Sequence, residues 1–498
     1  MRGLALAVLL VGCGHPSLGT DGGGETGGSD AGADTGATAD AYLGDANPGG
    51  DGGDADGGMG DAGTGDAGTG MDGTTGDAGM PDACGLAVCA QSFSSGTDGA
   101  ALAVAVDGAN NVYIAGLAES DLVFGTHTVF QIGARDAFVV SFAADGSYRW
   151  AKRWGHSTTL VGAYGIAVDA SNNIYIVGGM TGSIDFGGGA VGSAGMFVAS
   201  FEQDGTYRWA RGDGGNSGLL GVAVADGIVY GIGRFLGSVT LSPQTTLTSA
   251  GAEDVVVAAF DAATGACSWA RRVGTAATDT EGGIAARAGS IAFTMSSGAV
   301  GTGERLVSWT SAGADRWDTP LPAALDLRGV SVDAAGTVYV SGLHRGGIDT
   351  VSGAPYVDGD NEYVHAYADG GASQWSWTLP ESPARTVSAI PLTPSAFDPA
   401  HDLVLAGTYD GTLYTGAATL ANGKATVFLA TFEGDGTPVS ARRFDDASTT
   451  ANEWVHGVAI DGTGTTYVVG QYYGAPNFGD GALPFASQGG VMVLRIAP

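Results

Sequence analysis

Two segments decide the fold of this chain: residues 165–179, GIAVDASNNIYIVGG, and residues 196–211, MFVASFEQDGTYRWAR. Each segment holds two runs rich in β-branched and aromatic residues, separated by a turn rich in Asp, Asn or Gly. Such runs predict β-strands, and such turns predict hairpins. Residues 165–211 therefore predict four short antiparallel strands in succession.

The same unit recurs seven times along the chain. Its first hairpin is found at residues 103–116, 166–178, 222–233, 283–298, 330–342, 387–407 and 458–470. Its second hairpin is found at residues 137–155, 196–214, 255–274, 305–321, 363–380 and 427–444. The seventh copy, residues 491–498, stops after its third strand.

The missing strand is predicted at the other end of the chain. Residues 86–93 lead into the first repeat as residues 148–154 lead into the second. A strand too few at one end and a strand too many at the other indicate a ring that closes, which leaves no open sheet at its ends. We therefore predict an all-β, seven-bladed β-propeller of four-stranded antiparallel blades, with the last blade closed by an N-terminal strand.

The repeat resembles the bacterial seven-bladed β-propeller repeat called SBBP. The resemblance rests on the pattern G-[IV]-[AS]-[VI]-D…N-x-Y-[IV]-x-G, on Asp185-Phe186-Gly187, and on the F-V-x-x-F and Trp-containing strands that follow. It covers most of residues 86–498 and is clearest in repeats one, two and seven. It implies a propeller fold and an extracytoplasmic setting, but no particular activity.

The N-terminus predicts export and lipidation. Arg2 precedes a short apolar run, which is too short to span a bilayer, and residues 1–12 are interpreted as a signal peptide. The tetrad Leu10-Val11-Gly12-Cys13 resembles the bacterial lipobox, in which the cysteine carries the lipid. We expect an exported protein, anchored through Cys13 to the outer membrane or cell surface. The alternative is an ordinary secretory signal that contains a cysteine.

Residues 13–83 predict a disordered tether between the lipid and the propeller of residues 84–498. After Cys13 this stretch consists largely of Gly, Asp, Ala and Thr, with 14 acidic residues and no Lys or Arg. It cannot bury enough apolar surface to offset its ordering entropy, and its like charges extend it.

The overall charge restricts the class of partner. The formal net charge is −32 and the pI is about 4.2. A nucleic-acid binder needs clustered cations, so nucleic acid is excluded as a partner. An anionic membrane surface is excluded for the same reason, which leaves the lipid anchor as the contact with the membrane. We expect a monomer.

Four cysteines constrain the covalent structure. With Cys13 assigned to the lipid, Cys84 and Cys89 are candidates for a disulfide that holds the start of the propeller. Pairing of either one with Cys267, or three free thiols, are the alternatives, because connectivity cannot be deduced from sequence.

The fourth strand of the repeat carries two recurrent features. Tryptophan recurs at one position, which predicts packing between blades, with sugar stacking as the alternative. Basic residues also recur there, which predicts charged strand edges that prevent sheet-to-sheet pairing. The alternative is a rim that binds an acidic polymer. These tryptophans are Trp150, Trp209, Trp269, Trp317 and Trp375. The basic residues are Arg149, Lys152, Arg153, Arg208, Arg211, Arg271, Arg272, Arg316, Arg442 and Arg443.

The sequence contains no pattern that indicates a particular chemistry. It has no HExxH metal motif, no GxSxG elbow and no P-loop. We therefore predict no catalytic residues and no cofactor. The one compact acidic cluster of the folded part is Asp358, Asp360 and Glu362, a candidate calcium site whose alternative is a solvated loop.

The long connections of the repeat predict where binding occurs. The connections after the second and fourth strands are long and rich in glycine, and in a propeller both emerge on one face. We expect a non-catalytic scaffold that binds a protein or carbohydrate ligand on this long-loop face, with Trp454 as a candidate exposed aromatic. One alternative is a lyase or glycosidase with its site in the central channel. A structural spacer of the cell envelope is another.

Overall fold

A computed structural model describes most of the predicted propeller. The described residues are 88–93, 99–242, 245–298, 303–322, 325–345, 360–379, 381–382, 388–389, 403–409, 412–421, 425–444, 452–478 and 482–498. The predicted signal peptide and tether lie outside these residues. Within them, no helix is long and apolar enough to cross a membrane.

The described strands form seven four-stranded antiparallel sheets, the blades, which confirms the predicted fold class. Strand bounds, from first to fourth strand, are Gly99–Val106, Val112–Ala118, Asp136–Phe142 and Tyr148–Trp154 in blade one. They are Val161–Val168, Ile174–Met180, Gly195–Phe201 and Tyr207–Gly212 in blade two. They are Asn216–Ala225, Ile228–Leu236, Asp254–Asp261 and Cys267–Val273 in blade three.

Blades four to seven repeat this order. The bounds are Asp279–Arg287, Ser290–Ser297, Glu304–Thr310 and Asp315–Pro320 in blade four. They are Leu325–Val332, Val338–Arg345, Asp360–Tyr367 and Ser373–Leu379 in blade five. They are Ser388–Ala389, Leu403–Tyr409, Thr426–Phe432 and Pro438–Phe444 in blade six. They are Asn452–Ile460, Thr466–Gly474, Ala486–Ile496 and Val88–Gln91 in blade seven.

Several connections between the second and third strands carry small sheets of their own. Leu122–Phe124 pairs with His127–Val129 in blade one, and Ile184–Asp185 pairs with Ala190–Val191 in blade two. Ser238–Ser242 pairs with Thr245–Thr248 in blade three. In blade six, Thr412–Tyr414 lies between Glu381–Ser382 and Thr419–Ala421.

The ring is closed by the two ends of the described chain. Val88–Gln91 runs antiparallel to the third strand of blade seven, with Val88 opposite Ile496 and Gln91 opposite Val493. The predicted closure by an N-terminal strand is therefore confirmed. A hydrogen bond also joins blade seven to blade one, because the backbone N–H of Gly462 donates to the side-chain oxygen of Asn110 at 3.0 Å.

The first strands of neighbouring blades pack against one another around the axis. In the six blades whose first strand pairs along its length, this strand contains a β-bulge, for example between Ala163 and Gly165 in blade two. A bulge adds one residue and increases local twist. The repeated bulge therefore lets a flat hairpin follow the tight curvature of the centre.

A tryptophan on the fourth strand joins each of blades one to five to the next blade. The indole N–H donates to a carbonyl in the turn between the third and fourth strands of the next blade. The bonds run from Trp150 to Gln203 (3.0 Å), Trp209 to Ala262 (3.1 Å), Trp269 to Ser311 (3.0 Å), Trp317 to Asp369 (2.6 Å) and Trp375 to Gly434 (2.8 Å). The predicted packing role of these tryptophans is therefore confirmed.

Each of these turns presents a glycine to the indole ring. Gly265 has a φ of +68°, and a Cβ at this residue would lie 2.4 Å from the Trp209 ring. Gly205, Gly313, Gly371 and Gly436 face the other four tryptophans in the same left-handed conformation. Glycine is required here both by the backbone and by the ring that covers it.

The tryptophan is absent where the ring closes, and the topology explains why. Blade six has the exposed Ser440 at this position, opposite Thr431. Its neighbour, blade seven, has no turn between its third and fourth strands, because these strands come from opposite ends of the chain. An indole on blade six would have no turn carbonyl to bind.

We predict that Trp209→Ala lowers the free energy of unfolding by about 3–5 kcal/mol, since it removes a buried indole between two blades. Ser440→Ala, at the matching position of blade six, removes the hydrogen bond between the Ser440 and Thr431 hydroxyls and should lower it by about 1 kcal/mol. Urea unfolding followed by tryptophan fluorescence measures both. Equal effects of the two substitutions would contradict the assigned role of the indole.

Candidate functional site

The two faces of the propeller differ in their connections. On one face, the first two strands and the last two strands of each blade are joined by short turns such as residues 107–111 and 143–147. On the opposite face, the long-loop face, the connections include residues 119–135, 181–194 and 237–253. The predicted grouping of long connections on one face follows from the observed antiparallel strand order.

The recurrent polar residues of the short-turn face hold the blades together internally. In blade one, Asp107 accepts bonds from the backbone N–H groups of residues 109 and 111 and, at 2.9 Å, from the Tyr113 hydroxyl. Arg149 donates to that hydroxyl and to the Ser141 hydroxyl, both at 2.9 Å. Burial raises the pKa of Tyr113 to about 12, so the hydroxyl stays protonated.

Blade two repeats this network with Asp169, Tyr175, Arg208 and Ser200. Burial acts to raise the pKa of Asp169, but hydrogen bonds from Asn173 and Tyr175 outweigh it and hold the pKa below its ordinary value. The aspartate therefore stabilises its own turn and needs no ligand.

Arg153, on the fourth strand of blade one, is buried, so the prediction that these basic residues guard exposed strand edges is wrong for Arg153. Arg153 and Asp136 form an ion pair at 2.6 Å whose side chains are 1% and 0% exposed. Arg153 also donates to the carbonyls of Ser120 and Ala118. Arg272 pairs with the buried Asp254 at 3.0 Å. These residues hold the third strand to the connection that precedes it.

Charged groups near the axis on the long-loop face are also paired. Arg234, on the second strand of blade three, contacts Glu281, on the first strand of blade four, at 2.9 Å. Both side chains are buried, at 8% and 2% exposed. Burial acts to lower the pKa of Arg234, but the attraction of Glu281 and Glu253 outweighs it. In blade one, Arg135 pairs with Glu119 at 2.6 Å.

Exposed large apolar side chains concentrate on the connections between second and third strands. Of the seven such residues in the described part of the chain, six lie on or at the start of these connections: Val123, Phe130, Ile132, Leu236, Tyr414 and Phe485. The exception is Val439, on the fourth strand of blade six. Phe130 and Phe485 are the most exposed, at 70% and 71%.

These apolar residues define the candidate binding surface. Tyr414, Phe485 and Phe130 belong to blades six, seven and one, which are consecutive in the ring. Exposed aromatic residues on loops of a rigid scaffold are typical of an interaction site. We call Phe130, Ile132, Tyr414 and Phe485 the apolar surface.

The structure places the predicted site residues differently. Trp454 lies within the first strand of blade seven, not in a loop before it. Its side chain is partly buried and meets the Tyr473 ring edge to face, with 4.9 Å between centroids. The prediction of a loop aromatic is wrong, because the first strand of blade seven begins at Asn452.

The apolar surface was missed at the sequence level. Phe130 and Phe485 stand in residues 128–133, TVFQIG, and 483–488, LPFASQ, which are apolar but interrupted by glycine or proline. An aromatic residue in such a connection, outside the alternation of a strand, is the signal that could have indicated it.

The predicted cysteine pairing is narrowed by the structure. Cys89 is disulfide-bonded and Cys267 is a free thiol, which removes the alternatives that involve Cys267. Cys84 lies outside the described residues, so its pairing with Cys89 stays a prediction, as does lipidation of Cys13. Cys89 occupies in blade seven the position that Trp150 occupies in blade one, since Cys89 pairs with Arg495 as Trp150 pairs with Ser141.

The predicted calcium cluster is only partly within the described structure. Asp358 lies outside the described residues, while Asp360 and Glu362 belong to the third strand of blade five. Calcium binding at this cluster stays a prediction. Elsewhere in the described part of the chain, no group of three or more His, Cys, Asp or Glu residues is arranged to hold a metal ion.

Comparison with known proteins assigns no family. No family model matches the chain, and no curated protein matches it. The resemblance to the SBBP repeat therefore stays a prediction. The seven-bladed propeller itself is defined by the chain's own sheets and is similar to solved propellers.

Three of these solved structures illustrate the similarity. The WD40 domain of Neurospora crassa Pan2 is 9% identical, with a TM-score of 0.42, covering 80% of this chain and 90% of that one. BamB from Moraxella catarrhalis is 12% identical, with a TM-score of 0.34 and coverages of 76% and 96%. The propeller domain of the Trilobed protease from Pyrococcus furiosus is 8% identical, with a TM-score of 0.39 and coverages of 76% and 90%. Similarity this remote carries no argument about function.

One carboxylate of the long-loop face titrates in an unusual range. Asp213 is 5% exposed and lines a pocket between blades two and three with Met196, Leu219, Leu241 and Phe260. Burial raises its pKa from 3.8 to about 6, although hydrogen bonds from Ser217 and Met196 act to lower it. The folded state therefore binds this proton more tightly than the unfolded state does.

We predict a matching dependence of stability on pH. The contribution of Asp213 to the free energy of unfolding is complete below its unfolded pKa and is lost as the pH rises through about 6. The difference between the two pKa values corresponds to roughly 3 kcal/mol. Asp213→Asn should remove this loss, as measured by urea unfolding between pH 4 and 7.

The control is Asp145→Asn. Asp145 is an exposed turn residue whose pKa is held below its ordinary value by hydrogen bonds from Ser147. It titrates below the range tested, so its substitution should leave the pH profile unchanged. Parallel profiles for the wild type and Asp213→Asn would contradict the assignment.

Proposed function

We propose that this protein is a non-catalytic binding scaffold whose long-loop face contacts a protein or carbohydrate ligand. In this proposal the lipid on Cys13 anchors it to the outer membrane or cell surface, and residues 13–83 hold the propeller away from the membrane. The propeller acts as a monomer.

The observation that carries the proposal is the position of the exposed apolar side chains. Phe130 and Phe485 are among the largest side chains left in water, and both lie on the same kind of connection. Burying one such side chain against a ligand contributes about 1.5–3 kcal/mol. Blade formation does not use them, since the cores between blades are built from strand residues such as Phe138 and Val140.

Charge pairing favours binding over hydrolysis. A lyase or glycosidase in the channel needs titratable side chains that are accessible to substrate. Glu281 and Glu119, which lie toward the long-loop face, are instead held by Arg234 and Arg135. The net charge of −32 suits a neutral or basic ligand surface.

A protein and glycan binding array tests the proposal. We predict that the purified chain binds a restricted set of ligands, and that the double variant Phe130→Ser, Phe485→Ser weakens this binding at least about 10-fold, the loss of one or two anchor side chains. Val439→Ser, which removes an exposed apolar side chain from the fourth strand of blade six, is the matched control and should bind normally.

Three results would contradict this account. Binding to no ligand would favour the structural spacer. Equal loss in Val439→Ser would show that the apolar surface has no special role. Turnover of a bound polysaccharide would favour the enzyme alternative.

A further inference from the structure

The joint between blades three and four contains two fully buried carboxylates. Asp254 begins the third strand of blade three and Asp279 begins the first strand of blade four, and both residues are 0% exposed. The backbone N–H of Asp279 donates to the carbonyl of Glu253 at 2.8 Å, which holds the two aspartates next to each other. Burying two carboxylates costs free energy unless each is compensated.

The hydrogen bonds and ion pairs at this joint do not satisfy all four carboxylate oxygens. Asp254 Oδ2 accepts bonds from Arg272 at 3.0 Å and from the backbone N–H of Ala250 at 2.5 Å. Asp254 Oδ1 is buried and has no hydrogen-bond partner. Asp279 Oδ2 accepts bonds from the backbone N–H of Thr275 at 2.6 Å and from the Thr275 hydroxyl at 3.3 Å, and the same hydroxyl lies 3.5 Å from Asp279 Oδ1. Of these two carboxylates, Asp254 is paired with an arginine and Asp279 is not.

The surroundings of Gly274 show that Asp254 Oδ1 lies close to the second carboxylate. A Cβ at Gly274 would lie 2.1 Å from Asp254 Oδ1 and 2.7 Å from Asp279 Oδ2. Both distances are measured from the same Cβ position, so the two oxygens are at most about 5 Å apart. At this separation two negative charges repel each other. Only glycine leaves this space between the carboxylates open.

At the joint between blades two and three, the first-strand residue that matches Asp279 is a serine, Ser217, and it contacts a carboxylate from the end of the preceding blade. Ser217 and Asp279 occupy equivalent positions in their first strands. Ser217 comes two residues before Leu219, and Asp279 comes two residues before Glu281. Leu219 and Glu281 are the last paired residues before the bulge of their strands. The Ser217 hydroxyl contacts both oxygens of Asp213 at 2.9 Å. At the next joint this hydroxyl is replaced by a carboxylate.

Blade one gives a second comparison. Asp136 begins the third strand there, as Asp254 does in blade three, and it also pairs with an arginine. Its Oδ1 accepts a bond from the backbone N–H of Gly133 at 2.8 Å, so no oxygen is left over. The corresponding first strand of blade two begins with an apolar residue, Val161.

We propose that Asp254 and Asp279 bind a calcium ion at the joint between blades three and four. Calcium prefers carboxylate and carbonyl oxygens at 2.3–2.6 Å, so two oxygens at most about 5 Å apart can bind the same ion. The ion supplies the missing positive charge and a partner for Asp254 Oδ1. Calcium fits better than magnesium because it accepts irregular sets of carbonyl and water ligands.

The ion would hold two blades together. With two carboxylates and the remaining ligands from backbone and water, we place the dissociation constant in the weak range of extracellular calcium modules, about 10⁻⁴–10⁻³ M. Binding to the folded state alone raises the midpoint of thermal unfolding as calcium is added.

Thermal unfolding of the full chain, with calcium raised to about 10 mM from an EDTA-treated start, spans the expected range. We expect the wild-type midpoint to rise with calcium. Asp279→Ser, which introduces the residue type that blade three has at the matching position, Ser217, should be folded and insensitive to calcium, and Asp254→Asn should also lose the response. Asp136→Asn should lower the midpoint but keep the full calcium shift.

The acidic segment of residues 14–83 is identical in all variants, so calcium bound there cannot produce a difference between them. A calcium shift that persists in Asp279→Ser would overturn the proposal. So would a wild-type midpoint that does not respond to calcium but rises as the pH is lowered, which would show a proton shared between the two carboxylates instead of an ion.

Discussion

Pairing of Val88–Gln91 with the third strand of blade seven is the contact on which the rest of the structure depends. Each blade buries both of its faces only if it has a neighbour on either side, so an open array would leave two apolar faces in water. Four residue pairs join the start of the propeller to blade seven, and the core between blades seven and one covers the two faces with residues such as Val104 and Val469. The cost is that two distant chain segments must meet before the last core is complete.

Closure also explains which regular residues the repeat keeps and which it omits. In blades one to five the tryptophan of the fourth strand binds a turn carbonyl in the next blade, and Ser440 stands at this position in blade six, where that turn does not exist. A hydrogen-bond network within blade one contains Asp107, Tyr113 and Arg149. Since the repeated residues are used in folding, the proposed recognition is assigned to the connections, where the repeats differ.

The sequence was sufficient to predict blade number, strand order and closure, because turn residues and apolar runs repeat seven times. It also predicted the packing of Trp209, whose position recurs. It could not predict that Arg153 is buried, because a charged residue on an outer strand faces either water or a carboxylate such as Asp136, and only packing decides which. The apolar surface was missed for a related reason: Phe130 follows no repeat, so its exposure depends on a connection of irregular structure.

The most direct test of this account is a comparison of two deletions by urea unfolding. Removing residues 86–93 deletes the closing strand, while removing residues 14–77 shortens the predicted tether. We predict that the first deletion lowers the unfolding midpoint strongly and that an added peptide of residues 84–93 restores it. The second deletion should leave the midpoint unchanged. Equal midpoints for the two deletions, or no effect of the peptide, would contradict closure of the ring by the N-terminal strand.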